Sequence, residues 1–220
     1  MGPCIIYEHP DITKRNGYLG GCDPADIDDV FEEASDLSTY IFALQDGLKR
    51  PRVVFEYTDR PRELNNYYNQ TLLALRYFND AKILIERQKG GRMISFIKDQ
   101  GYNQLLMPTP QEIKRLFPAK NLTIGVHMDG WAKEYMSGVV REYVDTHCDA
   151  IPSIPLLREL LIFGTKNTDK AMAFGITVMA VKEVSKPYLL KRKNVLNHKI
   201  PNFRYVQDKS GKIVLQRGFR

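Results

Sequence analysis

Tyr18-Leu19-Gly20-Gly21-Cys22-Asp23-Pro24 is a short apolar run that ends in an aspartate followed at once by proline, and Lys82-Ile83-Leu84-Ile85-Glu86 repeats the plan further along the chain. An acid closing an apolar strand is costly to bury unless it meets a cation or water. Two such strands laid side by side and parallel would bring Asp23 and Glu86 to one rim of a sheet, where open α/β folds place their sites. A helix that opens at Asp169 would close the triangle.

Working outward, residues 1–16 read as a polar, irregular segment. The stretch 24–36, with Asp26, Asp28, Asp29, Glu32, Glu33 and Asp36, is too acidic to continue a buried strand, whereas 37–44 and 52–57 are rich in β-branched and aromatic residues. The reading is strand, acidic loop, strand, turn at Asp46-Gly47, strand. Between 62 and 78 the residues Leu64, Tyr67, Tyr68, Leu72, Leu75 and Phe78 recur at helical spacing. Gly90-Gly91 breaks the chain before a helix over 92–100 that Gly101 stops. Residues 104–107 are expected as a short strand, 108–120 as a loop with one helical turn, and 122–126 as a further strand. Asp129 suits the N-cap of a helix reaching about His147. A second helix spans 152–163, and a third runs from Asp169 to about Val184, apolar enough in its middle to be buried. From 186 onward ten basic residues face one acid, Asp208, and the runs 203–207 and 212–216 flank Asp208-Lys209-Ser210-Gly211 as a possible basic hairpin. The expected organisation is therefore an irregular segment 1–16, an α/β domain 17–185 with a mixed sheet flanked by helices, and a basic C-terminal extension 186–220.

A chain of 220 residues with 43% hydrophobic content buries a sizeable core, and its net charge of +6 favours an anionic partner. No apolar run approaches the roughly 18 residues of a membrane span, so the expectation is a soluble intracellular protein without membrane contact. Cys4, Cys22 and Cys148 are odd in number and fit neither a disulfide framework nor a zinc knuckle, which leaves reduced thiols. The four histidines form no ligand motif, and adjacent His147 and Cys148 point apart on a helix. Gly211-Lys212 is no phosphate-binding loop, since Val206 stands where glycine is needed and Ile213 where Ser or Thr would hold the metal.

Three converging carboxylates repel one another and call for hard divalent cations, Mg²⁺ or Mn²⁺. Two such ions about 3.5–4 Å apart activate a water and stabilise the leaving oxygen of a phosphodiester. Plainer readings stand beside this one. Asp23 before Pro24 also suits a turn, Glu86 a surface pair with Arg87 or Lys89, and Asp169 an ordinary helix cap. Arg87, Lys89 and Arg92 either position backbone phosphates or balance the acids. Lys191, Arg192 and Lys193 are the densest cationic cluster of the tail. Trp131 reads as a core residue, and the acidic loop 26–33 as a solvated one.

At the level of motifs, Gly21-Cys22-Asp23-Pro24-Ala25 with Ser35-Asp36-Leu37-Ser38 resembles the first nuclease motif of the large terminase subunits of tailed phages, with a longer acidic insert between its halves. The segment 83–91, Ile-Leu-Ile-Glu-Arg-Gln-Lys-Gly-Gly, is similar to the second motif. Asn167-Thr168-Asp169-Lys170-Ala171-Met172-Ala173 resembles the third, with Thr168 where the family often carries another aspartate. The segments 130–133 and 155–163 match less specific parts in order and spacing. Over residues 17–185 the resemblance implies a fold like ribonuclease H, resolvases and integrases. It further implies a two-metal endonuclease that cuts concatemeric, double-stranded viral DNA during genome packaging in the host-cell cytoplasm. Asp23 would bridge the metals, Glu86 and Asp169 would each complete one, and Asp36 would be accessory. The partners implied are a packaging ATPase domain, the portal and the small terminase subunit, this chain being either a natural stand-alone nuclease or the excised C-terminal domain of a longer protein. The rival is a non-catalytic DNA-binding or packaging-scaffold module of the same fold.

Overall fold

The computed structural model describes residues 3–25, 36–44, 46, 50–116, 124–164, 168–196, 203–207 and 213–217, with side chains described as far as residue 185. The acidic stretch 26–35, the Asp46-Gly47 turn beyond Asp46, residues 122 and 123, Asn167 and the turn at 208–211 lie outside them. The chain divides into two compact units, residues 1–183 and 184–220.

The first unit is built on a five-stranded sheet of strands β1 (Cys4–Ile6), β2 (Tyr18–Asp23), β3 (Leu37–Ala43), β4 (Arg52–Asp59) and β5 (Lys82–Ile85), in the order β1-β4-β3-β2-β5. β2 and β3 pair antiparallel from Tyr18↔Ala43 to Asp23↔Ser38. β2 and β5 pair parallel from Leu19↔Lys82 to Cys22↔Ile85. The sheet is mixed, and the two acid-terminated strands are its one parallel pair among the described strands. β1 corrects the reading of 1–16 as irregular. It is short and lacks a local pattern, and it is held by tertiary pairing along β4, by Tyr7 donating to Glu56 at 2.8 Å, and by Arg52 donating to both oxygens of Glu8.

Helices cover both faces. On one side lie α1 (Leu64–Tyr77) and α2 (Gly91–Asp99), whose Tyr67, Tyr68, Leu75, Met93 and Ile97 pack with Cys22, Ile83 and Ile85. After the short α3 (Gln111–Leu116), the other face receives α4 (Gly130–His147), α5 (Ile154–Leu161) and α6 (Asp169–Leu196), which pack on Leu19, Tyr40, Phe42 and Leu84. Asp129 caps α4, accepting from the Ala132 amide at 3.0 Å. Ser153 caps α5 through the Leu156 amide at 3.3 Å.

Residues 104–107 do not form a strand. Asn103–Leu105 is a single 3₁₀ turn, after which Leu106 bridges Ile83 in parallel, and Val126 likewise bridges Glu86. Pro108 and Pro110 lack amide donors and end the pairing after one residue. α6 also runs past Val184 to Leu196, through Pro187. The residue before proline disfavours helix, but Leu189 to Lys193 are strong helix formers that carry the helix on. In the second unit β6 (Phe203–Gln207) and β7 (Ile213–Arg217) pair antiparallel, Phe203 opposite Arg217 and Gln207 opposite Ile213.

Two features fasten α6 to the sheet. Phe174 lies among Phe42, Tyr143 and Tyr40, with ring centroids 5.5, 5.6 and 6.0 Å away, each such pair adding about 0.5–1.5 kcal/mol beyond its buried area. Three residues further along, Thr177 comes so close to β2 that a Cβ on Gly21 would stand 2.5 Å from the Thr177 backbone nitrogen. Only glycine admits that approach, and it brings the N-terminus of α6 toward the rim where β2 ends.

Candidate active site

The parallel register sets Asp23 and Glu86 as neighbours one step beyond the last ladder pair, and the Glu86 amide donates to the Cys22 carbonyl at 3.3 Å. Side chains alternate along a strand. Leu19 and Leu84 belong to the core beneath α4–α6, whereas Cys22, Ile83 and Ile85 belong to the other. Asp23 and Glu86 therefore fall on the α6 face. Ser38 and Thr58 continue the same row, their hydroxyls 3.2 Å apart.

Both acids are buried, each only 4% exposed. Oδ1 of Asp23 and Oε2 of Glu86 have no hydrogen-bond partner. Burial, followed by the adjoining Glu86 carboxyl and its charge, pushes Asp23 up to about 8. At neutral pH the Asp23 carboxyl therefore favours its protonated form. Lys89 opposes this from 3.7 Å, too far for a hydrogen bond, with its own side chain 55% exposed. The surface pairing of Glu86 with Arg87 or Lys89 is not what forms, because Glu86 points inward while Arg87 and Lys89 are exposed.

The turn after Glu86 depends on Gly90. A Cβ there would stand 2.4 Å from the Glu86 carbonyl oxygen and 2.9 Å from Pro24, so the chain folds back tightly over the ends of both strands.

Asp169 opens α6 half-buried beside this pair. Its carboxyl is raised first by burial and next by the charge of Asp23, while Lys89 and a hydrogen bond from the Asp36 backbone amide pull it down. Asp169 lies near enough to Asp23 to feel its charge, but among the described residues no three His, Cys, Asp or Glu side chains stand together as a ready metal cage. Asp36 engages Lys170 instead, Oδ2 to Nζ at 3.9 Å. The acidic residues of 26–33 are outside the described residues. Arg92 is exposed on the first turn of α2. Lys191, Arg192 and Lys193 lie in α6 where the backbone alone is described.

Trp131 is the clearest departure from expectation. It is 62% exposed at the start of α4, because Ala132, Met136, Val139 and Val140 form the inward face and Trp131 precedes it by one residue. His127 follows Val126, the residue that bridges Glu86, and its Nδ1 is buried without a partner. His9 bonds the Tyr77 hydroxyl at 2.7 Å, and the three cysteines are free thiols.

Sequence reasoning missed Glu159 and Lys170. Glu159 accepts from the backbone amides of Lys170 and Ala171 at 3.0 and 3.2 Å. The Lys170 ammonium lies 4.0 Å from its other oxygen. The available signal was a lone acid beside Arg158 in the largely apolar Ile-Pro-Leu-Leu-Arg-Glu-Leu-Leu of α5.

No family model and no curated protein matches this sequence. Among solved structures, the large terminase nuclease from thermophilic phage G20c with bound zinc aligns with a TM-score of 0.56 at 11% identity, over 80% of this chain and 87% of that chain. A second crystal structure of that nuclease aligns with a TM-score of 0.47 at 10% identity, over 100% of this chain and 81% of that one. The first likeness, together with the mixed sheet and its two helical layers, shows an α/β fold like that of the terminase nuclease.

Proposed function

We propose that a chain with this terminase-nuclease fold is a divalent-metal-dependent DNA endonuclease that cuts concatemeric viral DNA during genome packaging. The observation that carries the reading is the Asp23–Glu86 pair, two buried carboxylates with unpartnered oxygens at the ends of neighbouring parallel strands. Such a pair is costly unless a cation joins it. The donor set suits hard cations, Mg²⁺ or Mn²⁺, which Asp23, Glu86 and Asp169 would hold, Asp23 serving both ions and the other two one each, with Asp36 accessory. The nuclease from phage G20c was crystallised with zinc, which supports a divalent-ion site in this fold. When bound, the ions supply an activated water and charge stabilisation for in-line phosphodiester displacement.

The chain's own groups prepare that chemistry. Asp23 surrenders its proton on loading, since its carboxyl is held near 8 by burial and by Glu86. Glu86 is kept in place by the folded-back turn at Gly90. The Lys89 ammonium, 3.7 Å from Asp23, and the exposed Arg87 and Arg92 are the cations that would meet a backbone phosphate. Lys191, Arg192 and Lys193 are further candidates for phosphate contact, and the net charge of +6 suits duplex DNA. The packaging ATPase domain, portal and small terminase subunit are the proposed partners, in the host-cell cytoplasm, with 17–185 as the nuclease domain.

Conversion of supercoiled plasmid to open circle in Mg²⁺ or Mn²⁺, and its loss in EDTA, tests the reading. The rival, a non-catalytic DNA-binding or packaging-scaffold module, draws on the absence of a ready three-residue cage among the described residues. It predicts that DNA is bound but never nicked in either metal.

A further inference from the structure

The first turn of α6 is held by a carboxylate that is not part of the acidic pair. The leading amides of a helix have no intrahelical acceptor and need one from elsewhere. In α6 that acceptor comes from another helix: Oε2 of Glu159 on α5 takes the Lys170 and Ala171 amides at 3.0 and 3.2 Å. The Lys170 ammonium ties Glu159 to Asp36 at 4.0 and 3.9 Å. Asp36 and Asp169 in turn lie near enough for each to bear on the other's charge. The next anchor of α6 on the sheet is Phe174 against Tyr40 and Phe42. At about 1.5 Å per residue, that anchor lies roughly 7.5 Å along the helix from Asp169. Without Glu159 the last turn and a half before Asp169 is a lever fixed at one end.

We propose that Glu159 is a positioning residue for the acidic site. By capping α6 from α5 it sets how closely Asp169 approaches Asp23, and so how tightly a divalent cation is held. The inference rests on reading Asp23, Glu86 and Asp169 as the cation-binding set. Partners that orient metal ligands typically change metal affinity or activity by about 10–100-fold when lost.

The test is Mn²⁺ binding to the full chain, followed by electron paramagnetic resonance, in the wild type, Glu159→Gln, Glu159→Asp and Lys170→Met. Glutamine keeps the length and one acceptor oxygen, so its Kd should stay within about threefold of wild type. Aspartate keeps the charge but is a methylene short of the amides, so its Kd should rise by on the order of tenfold. In Glu159→Asp the Lys170 and Ala171 amides should also exchange faster with solvent, and excess Mn²⁺ should restore the cleavage rate. Lys170→Met leaves the cap intact and should stay within about threefold. Wild-type affinity in Glu159→Asp overturns the proposal, as does an equal loss in Glu159→Gln, and a tenfold loss in Lys170→Met assigns the role to the lysine and overturns it too. Absence of Mn²⁺ binding in the wild type refutes the acidic site itself and the inference with it, whereas binding that is indifferent to Glu159 refutes the inference alone.

Discussion

Replacing Asp23 by asparagine should make the metal-free protein more stable at alkaline pH while removing its activity. The substitution keeps the shape of the side chain and deletes the charge that Glu86 and burial oppose. Asp23 sits at about 8 in the folded protein against 3.8 as an ordinary carboxyl. Its folded-state value is raised, so the folded protein binds the proton more tightly than the unfolded chain does. The resulting contribution is fully present below about 4 and is lost as pH rises through 8. At about 1.4 kcal/mol per pH unit, the wild type should lose on the order of 4 kcal/mol between pH 5 and pH 8 through this carboxyl. Asp23→Asn should not. Urea unfolding of both proteins in EDTA at the two pH values measures the difference, because titrations common to both cancel. Saturating Mg²⁺ should recover most of the wild type's loss at pH 8 by binding the ionised pair. Parallel pH dependence of the two proteins would refute the view that burial and Glu86 hold the Asp23 carboxyl near 8.

Gly21→Ala should destabilise the fold by about 1–3 kcal/mol or more and reduce cleavage with it, because the new methyl meets the Thr177 backbone; thermal unfolding and plasmid nicking read both effects. Phe174→Ala should cost about 3–5 kcal/mol in urea unfolding by emptying the aromatic cluster under α6. Cleavage should show little sequence preference, and mapped ends clustering at one short motif would count against phosphate-dominated binding. Deleting 197–220 removes Lys199, Arg204, Lys209, Lys212, Arg217 and Arg220. With a slope near 0.9 per phosphate contact on duplex DNA, the salt dependence of binding should fall by several units, and an unchanged slope would remove the tail as a phosphate-binding element.

The central strands were legible because their signals are local. The runs 18–23 and 82–86 are apolar and end in an acid, and a parallel pairing of them follows from where such acids must go. Helices α1 and α4 carried clear apolar periodicity, and Asp129 announced its cap. What was hidden depends on partners distant in sequence. β1 is three residues that become a strand along β4, and Leu106 and Val126 pair for one residue each because prolines and the glycine-containing approach cut them short. Trp131 was misplaced because an aromatic at the start of a helix lies one step off its buried stripe. In the site, Asp23 and Glu86 were visible as strand ends, and the structure brings them together. The side chain that steadies Asp169 was not visible, since Glu159 acts through backbone amides of another helix, which leave no mark in its own neighbourhood. Asp36 matched a motif, yet its carboxylate meets Lys170, and this pairing also spans distant segments.

The most direct test is the rate of supercoiled-plasmid nicking as a function of Mn²⁺ concentration in the wild type and in Asp23→Asn at pH 8. The account predicts a rate that rises from zero and saturates in the wild type, and none above background in Asp23→Asn although that protein is folded and still binds DNA. Nicking by Asp23→Asn at the wild-type rate, or by the wild type in EDTA, would contradict it.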